Sequence, residues 1–455
     1  MRVLMLSDFY PPTVGGLERH VQGLAHELAR RGHDVAVAML QQGREDAHET
    51  GTGTGAASCE EHGPGSVVRL YRIAGWSRAL APFYEDRARS FHPTVPDPGS
   101  MATLRRVVAA ERPHIVHAHG WMLYSFLPLK RWSGAHLVVT LHDYGLVCAK
   151  KTLLREDRPC AGPSYPTCLG CAAAHYGPVK GAALTSGLRL SRALHGRVDR
   201  YLAVGPTVKA ASMAATAGRP VDVIPSFVPD GILTADGPVN AEPGEGSLHG
   251  HGEHGEIATE VNGRVAIRKD ARPEGLPARD GYILFVGALG THKGLRVLLE
   301  AYEGLPEHAR PPLLLIGTRQ VDTPERFPEG VSVIYDAPHA TVLAAYDGAA
   351  VGVVPSLWAE PFGQVAVEAM ARGLPVVASA RGALADIVDH GETGLLVPPG
   401  DAAALRQALR ALLADPALRA RMGQAGQRRA RRFALSSVAA RVEAVYADLL
   451  AAVSP

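Results

Sequence analysis

The stretch EPFGQVAVE (360–368) is preceded by AVGVVPS (350–356) and followed, past Gly373, by LPVVAS (374–379). The flanking runs are apolar, short and β-branched, which marks buried strands. Between them the spacing predicts a helix from about 362 to 372, started after Pro361 and stopped by Gly373 with Pro375 just beyond. Strand, helix and strand in that order make one βαβ unit, and a βαβ unit requires a parallel sheet. The segment also brackets an otherwise uncharged helix start with two carboxylates, Glu360 and Glu368.

The same alternation runs outward in both directions. Upstream lie YILFVG (282–287), LLLIG (313–317) and VSVIY (331–335); downstream lies GLLVPPG (394–400), and the last 50 residues read as mostly helical. The first half repeats the pattern with strands expected at 2–9, 34–40, 67–73, 114–119, 136–142, 200–205 and 221–228, and a helix over 16–31 that stops at Gly32. QQGREDAHETGTGTGAASCEEHGPG (41–65) reads as a loop insertion, and 229–280, which contains EPGEGSLHGHGEHGE, as a flexible insertion or linker. The expected fold class is α/β: two Rossmann-like, doubly wound parallel-sheet domains, 1–228 and 281–455, facing a cleft. Ligands in such sheets bind at the carboxyl ends of the strands.

A length of 455 residues, with 46% hydrophobic residues, supports two domains or more. Forty-seven basic residues against 45 acidic ones give a net charge of +2, which argues against a dedicated nucleic-acid binder. No run reaches the roughly 18 apolar residues of a membrane span. The start, MRVLMLSDFYPP, has too short an apolar run and no small-residue cleavage site, so it reads as a buried strand rather than a signal sequence. A cytoplasmic address follows, with association at a membrane surface left open.

PPTVGGLERHV (11–21), TLHDY (140–144), FVGALGTHKG (285–294), EPFGQVAVE and GETGLLVPPGD (391–401) together resemble the retaining family 4 glycosyltransferases, group 1. The resemblance spans both halves and implies the GT-B fold, with a nucleotide-diphosphate sugar donor on the C-terminal domain and a hydroxyl-bearing acceptor on the N-terminal one. It matches Glu360 to a glutamate that contacts hydroxyls of the transferred sugar. It matches Glu368 to one that holds both ribose hydroxyls, and His142 to a histidine near the reacting centre. The N–H groups of Phe362, Gly363 and Gln364 would meet the sugar and phosphate, as free N–H groups at a helix start favour anions and hydroxyls. Lys293 would offset charge on the leaving diphosphate. Gly15 and Gly16, lacking Cβ, would let backbone approach that diphosphate. The resemblance further implies that a C-terminal helix over about 436–452 packs back on the N-terminal domain. It also implies transfer without a protein base and without a catalytic metal.

Each of these residues has a plainer reading. Glu360 can simply complement a helix dipole, Lys293 can be a solvated lysine, Gly15–Gly16 an ordinary turn, and His142 a satisfied buried histidine. His117 and His119 alternate with Ala118 and so share a face of their strand. One position departs from the family: Ala288 stands where an arginine is usual, with Arg319 and Arg381 as candidate substitutes by location. Rival functions are a nucleotide-sugar hydrolase or epimerase, or a non-catalytic nucleotide-sugar-binding protein. No G-x-G-x-x-G follows a strand, which disfavours a dinucleotide oxidoreductase.

Four of the five cysteines fall in one segment, CAKKTLLREDRPCAGPSYPTCLGC, as Cys148, Cys160, Cys168 and Cys171. The order C-x11-C-x7-C-x2-C in a segment poor in apolar residues allows a structural zinc site, an iron–sulfur cluster, or free thiols or disulfides. No other cofactor is expected. The insert (143–179) follows His142 directly and is expected to border the acceptor pocket. HGHGEHGE (249–256) is either a metal-binding tract or a hydrophilic loop.

Overall fold

The computed structural model describes residues 1–11, 15–41, 58–63, 65–76, 91–156, 158–234, 273, 275–278 and 280–452. Most of the expected linker, and all of HGHGEHGE, lies outside them. The chain divides into two compact units, Met1–Phe227 with Leu435–Pro455, and Val228–Ala434.

The first unit is built on β1 (Arg2–Ser7), β2 (Asp34–Leu40), β3 (Ser58–Gly63), β4 (Ser66–Ile73), β5 (Ile115–His119) and β6 (His136–Leu141). A two-residue ribbon, β7 (Leu154–Arg155) and β8 (Arg158–Pro159), stands apart, and β9 (Arg200–Ala203) and β10 (Val221–Val223) complete the sheet. Its order is β10-β9-β6-β5-β1-β2-β4-β3. All pairings are parallel except β3–β4, an antiparallel edge hairpin. Part of the expected loop insertion is therefore a strand. SCEEHG carries no apolar period because it pairs along one edge only, and Gly65 at φ +68° forms part of the reversal.

Apolar strands buried on both faces need helices on both sides. Helix Gly16–Arg30 places Val21, Leu24, Ala25 and Leu28 in the core. Helix Leu435–Ala451 packs on the same unit, with Val438, Val442, Val445 and Tyr446 in that core. Arg31 and His33 anchor it through Glu443, at 3.2 and 2.8 Å.

The second unit carries β11 (Tyr282–Val286), β12 (Leu313–Gly317), β13 (Val331–Tyr335), β14 (Ala349–Val354), β15 (Val376–Ser379) and β16 (Gly394–Val397), all parallel in the order β13-β12-β11-β14-β15-β16. In each unit the strand order reverses beside the first strand, between β1 and β5 and between β11 and β14. Doubly wound sheets bind ligands at the carboxyl ends of the strands flanking such a point. Among the described residues, no helix is long and apolar enough to cross a membrane.

Candidate active site

At the reversal of the second sheet, the loop after β11 carries Lys293 and the loop after β14 carries Glu360. Lys293 Nζ lies 2.7 Å from Glu360 Oε1, which also accepts a 2.6 Å bond from Ser356 Oγ. Glu360 is only 5% exposed. Burial alone would raise its pKa; the Lys293 ammonium and the Ser356 hydroxyl outweigh burial and hold it below the usual carboxylate range. Lys293 Nζ stands 5.0 Å from the Trp358 ring centroid.

Two glycines make this approach possible. Gly294 has φ +77°, and a Cβ there would sit 1.9 Å from the Pro355 carbonyl oxygen. Gly382 has φ +60°, and its Cβ would come within 2.5 Å of the Glu360 nitrogen. The two loops and the turn after β15 are thus packed backbone against backbone.

Glu360 leads into helix Gln364–Ala371, with Gly363 at φ +86° as its N-cap. The N–H groups of Phe362, Gly363 and Gln364 have no acceptor among the described residues. Glu368 is 3% exposed and lies on the same helix. Its carboxylate accepts from Gln364 Nε2 at 3.1 Å and from the Tyr346 hydroxyl at 3.4 Å, with His339 Nε2 at 3.5 Å. The sequence-expected residues Lys293, Glu360, Phe362, Gly363, Gln364 and Glu368 therefore belong to one constellation. Ser356, Tyr346 and His339 were not singled out in the sequence, being ordinary residues in strand and helix patterns.

Ala288, in the loop after β11, adds no charge here. Arg381 is engaged, donating from Nη1 to the Leu357 carbonyl at 2.6 Å. Arg319 is exposed, pairs through its backbone with Leu289, and makes no ion pair among the described residues.

The first unit holds a separate cavity of about 340 Å³ at the carboxyl ends of β1, β5 and β6. His142, Gly15 and Gly16 line it, with Asp8, His119 and Lys151. His119 Nδ1 and His142 Nε2 are 2.9 Å apart, and the ring nitrogens of His20, His119 and His142 gather within 4.8 Å. Burial, then the Lys151 charge, lowers His142 to about 3, so the ring is neutral at working pH even though one edge opens to the cavity. His20 and His119 are also held well below their ordinary value, by burial first and neighbouring imidazoles second. Such a cluster orients hydroxyls by hydrogen bonds; it is a weak proton acceptor. His117 is a core residue, bonded to Tyr446 and Thr140 at 2.6 and 2.7 Å.

Gly15 is the N-cap of its helix and Gly16 the first helical residue. The Glu18 carboxylate lies against Gly15, 2.3 Å from where a Cβ would stand. Asp8, missed in the sequence, is 1% exposed and accepts N–H bonds from Trp121 and Met122 at 2.9 and 2.8 Å, pinning the turn after β5. Burial raises its pKa, opposed by Lys151.

Comparison with known proteins gives the same picture. A model of the glycosyltransferase family 4 matches residues 14–230, and one of the glycosyl transferases group 1 matches residues 266–429. The chain is 29% identical to a glycogen synthase of Mycobacterium tuberculosis over 94% of this chain and 90% of that protein. It is 33% identical to a D-inositol 3-phosphate glycosyltransferase of Corynebacterium glutamicum over 47% of this chain and 54% of that one. Among solved structures, a sucrose-phosphate synthase from Thermosynechococcus elongatus superposes with a TM-score of 0.69 at 23% identity, covering 99% of this chain and 100% of that chain. Two family models that follow one another along most of the sequence, on two sheets with the GT-B topology, place this chain among the group 1, family 4 glycosyltransferases.

Proposed function

We propose that this chain is a retaining transferase that moves a sugar from a nucleoside-diphosphate donor held by the second unit to a hydroxyl-bearing acceptor taken up at the first unit's cavity. The observation that carries the reading is the Lys293–Glu360 pair across the reversal of the second sheet, with Glu368 further along the helix that Glu360 introduces. Glu368 holds the ribose hydroxyls and Glu360 hydroxyls of the transferred sugar. Carboxylates accept two such bonds well.

The C1–oxygen bond to the diphosphate breaks as charge grows on the departing oxygen. Lys293 and the open N–H groups of Phe362, Gly363 and Gln364 meet that charge, so the step draws its electrostatic help from protein groups. The acceptor oxygen bonds C1 on the face being vacated and gives its proton to the leaving phosphate oxygen. His142, neutral, positions a hydroxyl and takes no proton. Arg319 supplies the second cation that Ala288 lacks. The setting is cytoplasmic, with a membrane surface as one place where a lipid acceptor is met.

The test is product analysis. With donor and a panel of acceptors, the α-linked sugar of an α-donor should appear in an α-glycoside, at a rate that depends on acceptor. Fast release of free sugar without acceptor would indicate a hydrolase. Donor binding with neither product would indicate a binding protein.

A further inference from the structure

We propose that Cys148, Cys160, Cys168 and Cys171 form a tetrathiolate Zn²⁺ site that fixes the insert after β6 and, through Lys151, one wall of the cavity at His142. The cavity's acceptor role rests on the reading above; the metal site does not.

The four cysteines come from three pieces of chain. Cys148 sits in a tight turn, donating its N–H to the Tyr144 carbonyl at 2.9 Å and accepting from Lys151 at 3.0 Å. Cys160 follows the β7–β8 ribbon, its N–H bonded to Leu153 at 2.8 Å. Cys168 and Cys171 are three apart in helix Tyr165–Tyr176, which puts both thiols on one side of its first two turns. All four line a single cavity of about 30 Å³, and none forms a disulfide. That volume admits one water-sized occupant and little more.

The insert needs a staple. A ribbon of two residues per strand closes it, and Lys151, Leu153 and Glu156 hold φ of 63°, 51° and 50°. Non-glycine residues in that region cost free energy and persist only where the surroundings hold them. Four soft sulfur ligands lining one small space suit tetrahedral zinc once they close around it, with Cys171 Sγ giving up its 3.8 Å bond to the Leu154 carbonyl. Each ligating thiol gives its proton to solvent as its Zn–S bond forms. The imidazoles of His20, His119 and His142 also gather, within 4.8 Å, but they are engaged elsewhere, His119 and His142 with each other and His20 with Ser226.

The consequence reaches the cavity through one turn. Lys151 closes the Cys148 turn, and its carbonyl accepts from Tyr144 at 3.3 Å. Its ammonium lies 4.3 Å from the Trp121 ring centroid, 4.0 Å from that of Phe91 and 3.9 Å from Asp143 Oδ2. Fixing Cys148 therefore fixes a cation in the wall of the cavity.

The decisive experiment is metal analysis of the full chain purified under reducing conditions without added metal. About one zinc per chain is expected, released by a mercurial and rebound on reduction with Zn²⁺ added. Cobalt substitution should give the visible bands of a tetrahedral thiolate site. Cys168→Ser should lose the metal, while Cys59→Ser, at an exposed cysteine on β3, should keep it. If Cys168→Ser does not fold, stripping and reloading the native chain gives the same answer. Stripped protein should retain affinity for UDP, GDP or ADP but become protease-sensitive within 145–176. No metal with an equally stable insert, a visible iron–sulfur spectrum, or a disulfide among the four would each overturn the proposal. A zinc-loaded protein without transferase activity would count against the functional reading alone.

Discussion

Lys293 and Glu360 lie 67 residues apart in sequence and 2.7 Å apart in space, joined where the strand order of the second sheet reverses. A buried carboxylate is tolerated there because an ammonium faces it. Removing one partner leaves the other with an uncompensated desolvation cost.

Lys293→Met should therefore do two things. Transfer should fall by about two to three orders of magnitude, the usual effect of losing one group that stabilises developing charge. Stability should fall by about 1–3 kcal/mol, discounted from a fully buried pair because Lys293 keeps some solvent contact. The double variant Lys293→Met, Glu360→Gln should recover much of that stability and none of the activity. Denaturant unfolding beside initial rates separates the two effects.

Glu360→Gln should spare binding of a nucleoside diphosphate and weaken discrimination between donors that differ at sugar hydroxyls. If the variant binds both UDP and UDP-sugar less well by the same factor, Glu360 does not face the sugar.

Gly294→Ala and Gly382→Ala touch no ligand in this account. Each places a methyl group within 1.9 or 2.5 Å of backbone and asks a non-glycine residue to hold positive φ. Both should lower the melting temperature and reduce kcat by moving Lys293 or Glu360. Unchanged kinetics in both would show that the loops tolerate displacement.

The buried imidazoles predict acid sensitivity, with a definite sign. His117 is held at about 3, by burial first and by His142 second, against 6.5 in the unfolded chain. Between those values the unfolded chain binds the extra proton, so stability falls as pH drops from 6.5 towards 3. The slope is about 1.4 kcal/mol per pH unit for each such histidine. His117→Gln should flatten the dependence by about one proton. The pH–rate profile should show no acidic limb from His142 between about pH 5 and 8; an essential group titrating near 6.5 that disappears in His142→Asn would contradict its neutral role.

Much of this was legible because parallel strands buried on both faces leave unbroken apolar runs, and because Gly373 and Pro375 punctuate the helix after Glu360. The edge strand Ser58–Gly63 was not legible. Its polar residues answer to distant partners, as when Gln22 donates to Glu61 at 2.6 Å. The surroundings of Glu368 were hidden for the same reason: Tyr346 and His339 reach it from another helix, which periodicity does not reveal. Asp8 looked like a strand end, and only the fold shows it holding the N–H groups of Trp121 and Met122.

Arg319→Ala should weaken donor binding several-fold, and Ala288→Arg should restore it in that background. Equal affinity in all three proteins would remove Arg319 from the site.

The most direct test of the central claim is calorimetric titration of UDP, GDP and ADP into the native chain and into Glu368→Ala. One nucleotide should bind preferentially, and the variant should lose about tenfold or more of that affinity, as expected for hydrogen bonds to a charged group. Equal affinity in the two proteins, or binding of none of the nucleotides to the native chain, would contradict the assignment of Glu368 to the ribose and with it the donor site.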